Sequence, residues 1–207
     1  MGAGQAASVN ESTVEGGEPA RARRRPPARV VVGGVIGALI LVLVTLRVIG
    51  FEPYSPYPGM WLKGELVTTP VTDWSFARDS KDGLREADGY PLALIETREH
   101  LFPLLAYSVT TSTAILDGKL YVGAHYVAGV PYPEGRHWNK NIVADPRVRI
   151  KVGTKLYDRA LLRITDPAMD TALAEEWDRR RPHGSDPGLV KIWFEVVPRG
   201  DPRLHVD

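Results

Sequence analysis

From Val30 to Leu46 the chain reads VVVGGVIGALILVLVTL without one charged side chain, and beyond Arg47 it stays apolar through Val48, Ile49, Gly50 and Phe51. A helix over residues 30–51 measures roughly 33 Å at about 1.5 Å per residue, enough for the hydrocarbon of a bilayer. No polar face interrupts the stretch, so it does not suit a helix lying on the side of a soluble core. A cleaved signal peptide would have a shorter apolar region and a small-residue cleavage site, whereas Leu46 is followed by RVIGFEPYSPYPG. The expectation is an uncleaved, single-pass transmembrane anchor over 30–51, with Arg47 snorkelling near its far end.

Charge sets the orientation. Arg21, Arg23, Arg24, Arg25 and Arg29 precede the span, while Arg47 lies at its other end. By the positive-inside rule the N-terminus is cytoplasmic and residues 52–207 are extracytoplasmic. A twin-arginine export signal fits less well, because Pro26 and Pro27 stand where apolar residues should follow the arginines. Residues 1–29, rich in Gly, Ala and Glu, read as a disordered basic tail against the membrane surface. Residues 52–61, with Pro53, Pro56 and Pro58, read as a stiff linker whose Tyr54, Tyr57 and Trp61 suit the headgroup layer.

Composition removes several classes of function. With 26 basic and 25 acidic side chains the formal charge is +1, too little to neutralise a row of phosphates, so no nucleic-acid partner is expected. The absence of cysteine excludes disulfides, thiolate metal sites, iron–sulfur clusters and a cysteine nucleophile. The five histidines, His100, His125, His137, His183 and His205, show no helical i,i+4 pair, and no metal site is expected from them, although His125 and His137 flank a Pro-Gly linker and are placed to meet. No G-x-S-x-G elbow, Ser-His-Asp order or G-x-G-x-x-G fingerprint occurs.

Residues 62–207 are mostly strand. Short β-rich runs cover 62–68, 92–96, 105–116, 119–124, 147–152, 155–165 and 189–197. Asp117-Gly118 joins two of them as a hairpin, and Gly153-Thr154 joins two more. Around the second turn Val148, Ile150, Val152, Leu156, Leu161 and Ile164 alternate with Arg147, Arg149, Lys151 and Arg163, one face dry and one wet. Two helices interrupt the strands. One is short and spans 138–144, stopped by Asp145-Pro146. The other opens at Asp166-Pro167, repeats Met169, Leu173 and Trp177 on one face, and ends before Pro182. The fold class expected is mainly β with short helices: an antiparallel β-barrel preceded by one transmembrane helix.

The run GKLYVGAHYVAGVPYPEGRHWNKNIVADPRVRIKVGTKLYDRALLRITDPA, from Gly118 to Ala168, resembles the split-barrel flavin-binding family related to pyridoxamine 5′-phosphate oxidase. The pieces that carry the resemblance are Asp117 to Tyr121, the basic polar stretch Gly135 to Asn141, the motif from Asn141 through Asp145-Pro146-Arg147-Val148, the hairpin up to Thr165, and the strand 191–197. Residues 62–104 match only loosely, and the anchor is outside the family's usual pattern. The resemblance implies FMN as cofactor, or else a deazaflavin, a homodimer that covers the edges of an open barrel, and oxidoreductase activity on a small-molecule substrate. It also implies a set of cofactor contacts. Arg136 and Lys140, spaced i,i+4 on the basic helix with Trp138 between them, face one phosphate. Asn141 belongs to the same stretch. Ser108, Thr110 and Thr111 line the strand before Asp117, and alternation puts Ser108 on the face opposite Thr111. Family members that oxidise pyridoxamine phosphate carry arginine-rich motifs near the C-terminus, where this chain offers Arg199, Arg203 and His205; that activity is therefore not expected. The alternative from another class is a split barrel without a redox cofactor, or one holding haem through a histidine, that serves as a binding or scaffold module at the membrane.

Overall fold

The computed structural model describes residues 28–54, 56–79, 85–87, 90–102, 104–179 and 188–205. It divides into two compact units, Met1–Ile40 and Leu41–Asp207. Helix α1 (Ala28–Ile49) begins in the first. Its Val32–Ile49 portion has a mean hydropathy of 2.5 with none of it buried, and is long and apolar enough to cross a membrane. The tail expected to be disordered lies, up to residue 27, outside the described residues, as does the expected stop at Pro182.

The second unit is a barrel. Its elements are β1 (Glu65–Val67), α2 (Phe76–Asp79), β2 (Arg85–Ala87), β3 (Tyr90–Arg98), β4 (Ala106–Leu116), β5 (Lys119–Val127), α3 (His137–Ala144), β6 (Arg147–Val152), β7 (Lys155–Arg163), α4 (Pro167–Arg179) and β8 (Leu189–Val197), followed by a 3₁₀ turn at Pro202–His205. The strands pair in the order β7-β6-β3-β4-β5-β8, and β8 returns to β7 through Ala160↔Val197 to Arg163↔Phe194. All six contacts of this ring are antiparallel. The ring is therefore closed rather than open, and its six strands pair with one another all the way round; among the described residues the strands with a single partner are β1 and β2. β1 adds in parallel to β7, and β2 adds to β3.

Alternation sorts the side chains. Ile95, Ile115, Leu120, Val122, Val148, Ile150, Tyr157, Leu161 and Phe194 fill one cluster inside the ring. Each fully buried aliphatic side chain contributes about 1.5–3 kcal/mol of transfer free energy. The intervening residues Ala114, Tyr121 and Trp193 point the other way and are covered by Leu173 and Trp177 of α4. That helix starts where the sequence places it: Asp166 Oδ1 accepts the Ala168 N–H at 3.0 Å and Pro167 occupies the first turn. The β4–β5 turn puts both Asp117 (φ 50°) and Gly118 (φ 73°) in the left-handed region, as a two-residue hairpin of this twist requires.

The stretch expected as a stiff linker folds back on itself instead. Tyr54 and Tyr57 form a bridge, Phe51 N–H donates to Trp61 O at 3.0 Å, and Met60 N–H donates to Phe51 O at 2.8 Å. Gly59 is then bonded both ways to Ser108 of β4, at 2.8 and 3.0 Å. The prolines set the tight turn and the remaining amides pair across it. Trp61 ends buried within the barrel unit, while Tyr54 and Tyr57 are exposed.

Candidate functional site

A cleft of about 560 Å³ opens where β4, β5 and the start of α3 meet. Leu92, Tyr107 and the run Val109 to Ser112 supply one wall, Gly123 to His125 the next, and Gly135 to Trp138 the mouth; Trp177 and the turn Pro56 to Pro58 complete it. Four of the expected contacts, Thr110, Thr111, Arg136 and Trp138, line this one cleft, and Ser108, Lys140 and Asn141 do not.

Each placement has a local cause. Thr111 is buried and its hydroxyl donates to Gly123 O at 2.7 Å, so it offers the cleft only an acceptor. Ser112 Oγ reaches the same carbonyl at 3.2 Å and His125 Nε2 at 3.3 Å. Ser108 shares its face of β4 with Thr110 and Ser112 and lies opposite to Thr111, but it is fully buried beside Gly59, and its hydroxyl has no partner among the described residues. Trp138 is mostly buried against Phe194, ring centroids 5.6 Å apart, and gives the cleft an apolar wall.

Arg136 is the N-cap residue of α3, in extended conformation, and no side chain caps the helix there. Among the described residues the N–H groups of His137 and Trp138, the first two of the helix, have no carbonyl a turn earlier to bond, and both residues line the cleft, whereas the next, Asn139 N–H, donates to Arg136 O at 3.1 Å. The Arg136 Nε donates to His125 O at 2.7 Å, and none of the described residues accepts from its two terminal nitrogens. Lys140 is engaged elsewhere: its Nζ lies 2.5 Å from Glu134 Oε2. The two cations expected on one phosphate thus have separate partners. Asn141 is fully buried; its Nδ2 donates to Thr97 Oγ1 at 2.9 Å and its Oδ1 accepts the His100 N–H at 3.1 Å, so it ties α3 to the end of β3.

Beside the cleft the structure gathers a group that no sequence spacing announces. His137 does not meet His125; it meets His100, ring centroids 5.2 Å apart, and Glu99 lies between them. His137 Nε2 is 2.6 Å from Glu99 Oε2, and His100 Nδ1 is 3.1 Å from Glu99 Oε1. Burial pushes the Glu99 carboxyl up, but the His137 hydrogen bond, the Leu101 N–H and the two imidazoles outweigh it and hold the group below the usual glutamate range. The C-terminal cations stay away from the cleft: Arg199 pairs with Asp158 and Arg203 with Glu195 and Asp201.

Solved structures similar to this chain include a Listeria innocua protein described as a pyridoxamine 5′-phosphate oxidase, at 12% identity over 51% of this chain and 82% of that one, with a TM-score of 0.35. A NimC/NimA family protein from Clostridium acetobutylicum matches at 14% identity over 52% and 73%, TM-score 0.37. An F420-H2-dependent reductase matches at 18% identity over 55% and 99%, TM-score 0.35. The first of these bears the name of the family that the sequence motifs resemble. No family profile and no curated protein matches the chain. At these scores the likenesses carry no weight for function; the closed six-stranded antiparallel barrel is read from its own strand pairing.

Proposed function

We propose that the chain is a membrane-anchored oxidoreductase that holds a flavin phosphate, FMN or a deazaflavin, in the cleft between β4, β5 and α3 and acts on a small molecule. The observation that carries this reading is Arg136: a guanidinium fixed at the mouth of the cleft through Nε, with no acceptor for its terminal nitrogens among the described residues, next to the start of a helix. Those are the donors a phosphate group needs. The rest of the lining fits the remainder of such a group, with Thr110 and Ser112 as polar contacts and Tyr107, Val109, Trp138 and Trp177 as apolar walls.

When bound, a flavin supplies two-electron transfer to or from an organic substrate. Arg136 and the α3 N–H groups bind and orient its phosphate. Trp138 and Trp177 keep water from the inner wall. Lys140 and Asn141, in this reading, support the α3 end of the site at one remove. Because Arg199 and Arg203 are held by carboxylates outside the cleft, neither is placed to recognise a substrate phosphate there.

The reading places α1 across a bilayer with the barrel outside and the N-terminus in the cytoplasm, on the strength of the five arginines before the span. It also takes the working unit to be a homodimer. The case for that rests on exposed apolar side chains such as Val127, Val130 and Val190 rather than on the strands of the ring, which is closed.

The test is the visible spectrum of the full chain purified in detergent, before and after adding FMN or coenzyme F420. A bound flavin or deazaflavin band is expected. A protein that stays colourless and retains neither cofactor on gel filtration overturns the proposal.

A further inference from the structure

We propose that Glu99, His100 and His137 form a binding site for one divalent transition-metal ion of the zinc class, independent of the flavin reading. A ring nitrogen of each histidine and a carboxylate oxygen of Glu99 all lie within 4.8 Å of one another. That is close enough for one ion to reach all three after small rotamer adjustments, since zinc binds imidazole nitrogen and carboxylate oxygen at about 2.0–2.2 Å. The donor set selects the class. Two imidazoles and one carboxylate suit Zn²⁺ and its neighbours, whereas Ca²⁺ and Mg²⁺ want oxygen cages.

The surroundings of the three groups are ordered as well. Asn141 Oδ1 lies 2.6 Å from His100 Nδ1, the ring nitrogen that also faces Glu99, and accepts the His100 N–H at 3.1 Å, while its amide nitrogen donates to Thr97 Oγ1 at 2.9 Å; the amide thus fixes where the His100 ring stands beside Glu99. Tyr107 packs edge-on against His137, centroids 4.7 Å apart. The Glu99 side chain is only 13% exposed. A carboxylate so far out of water gains more from a cation than one on the surface does. Three protein ligands leave a fourth position open, and His137 lines the cleft, so that position is reachable from solvent on the cleft side.

The experiment is isothermal titration of the full chain, purified in detergent and stripped with a chelator, with ZnCl₂ and separately with CoCl₂. One ion per chain is expected, with Co²⁺ giving the visible bands of a four-coordinate N/O site. His137→Ala and His100→Ala should abolish saturable binding, Glu99→Gln should weaken it at least tenfold, and His125→Ala should leave the isotherm unchanged. His137 is partly exposed, so its truncation leaves the fold intact, and a thermal melt of each variant verifies this. Sub-stoichiometric binding, or binding that survives the histidine substitutions, overturns the site. Neither result bears on flavin retention, which is measured separately.

Discussion

The Nε of Arg136 donates to the carbonyl oxygen of His125 at 2.7 Å, which fixes the start of α3 to β5, and none of the described residues accepts from the terminal nitrogens of the guanidinium. Lys140, one turn on, is neutralised by Glu134. The two cations that the sequence treats as equivalent are therefore unequal.

Arg136→Ala should weaken FMN binding about ten- to a hundredfold, the loss of one or two charge-assisted hydrogen bonds of about 1.5–3 kcal/mol in all. Lys140→Ala should change it by less than about threefold, because its charge is already matched. Flavin-fluorescence quenching titrations of both variants measure the difference. Equal losses in the two would return Lys140 to the phosphate site.

Leu173 is fully buried between α4 and the outer face of the β4–β5–β8 sheet. Leu173→Ala should cost about 2–5 kcal/mol, the range for a large-to-small change in a packed core. A chemical denaturation midpoint shifted by less than would correspond to 1 kcal/mol would mean that α4 is loosely docked.

Gly59 has Phe51 O only 2.2 Å, and Pro53 N 2.5 Å, from where a Cβ would stand. Both are backbone atoms and do not yield by a rotamer change. Gly59→Ala should therefore break the bridge to Ser108 and destabilise the domain by about 1–3 kcal/mol. Retained stability, with the Gly59 amide still protected in hydrogen exchange, would contradict this packing.

Glu96 supplies the pH test. Burial raises its carboxyl above the usual value of 4.5, against the lowering effect of the Leu62 N–H bond at 2.6 Å and of Arg149. The folded state thus binds this proton more tightly than the unfolded chain does. Its contribution is greatest below 4.5 and is lost as the pH rises through the raised folded value. Glu96→Gln keeps an acceptor for Leu62 and removes the titration. The stability of the natural chain relative to this variant should rise as the pH falls from 7 towards 4.5. A difference that is flat over that range, or that runs the other way, refutes the assignment.

Much of this architecture is legible in the residues. The charge-free run, the Asp117-Gly118 hairpin, the alternation of Val148, Ile150 and Val152, and the Asp166-Pro167 helix start are local signals with local causes, and β6 and β8 fall at 147–152 and 189–197, where the β-rich runs end. What resists reading is what the closed ring brings together. β2 and α2 are too short to show a period. Glu134 belongs to a loop whose path decides whether it meets Lys140. Glu99 and His100 follow β3 and reach His137 only because Asn141 docks α3 onto that strand end, a contact that no spacing in the sequence encodes. The folding-back of 51–61 is hidden for the same reason, since its partner Ser108 lies in a strand of the barrel.

The position of β8 between β5 and β7 has a consequence for biogenesis. It is the last strand of the ring to be synthesised, so until residue 197 has emerged β5 lacks its partner on one side and the 160–163 portion of β7 lacks its partner on the other, β1 covering only 155–157. A domain that is threaded through a translocation channel behind its anchor cannot close beforehand. If the orientation proposed above holds, ring closure happens on the far side of the membrane, and any cofactor of the barrel has to be captured there by a protein that has only just finished folding.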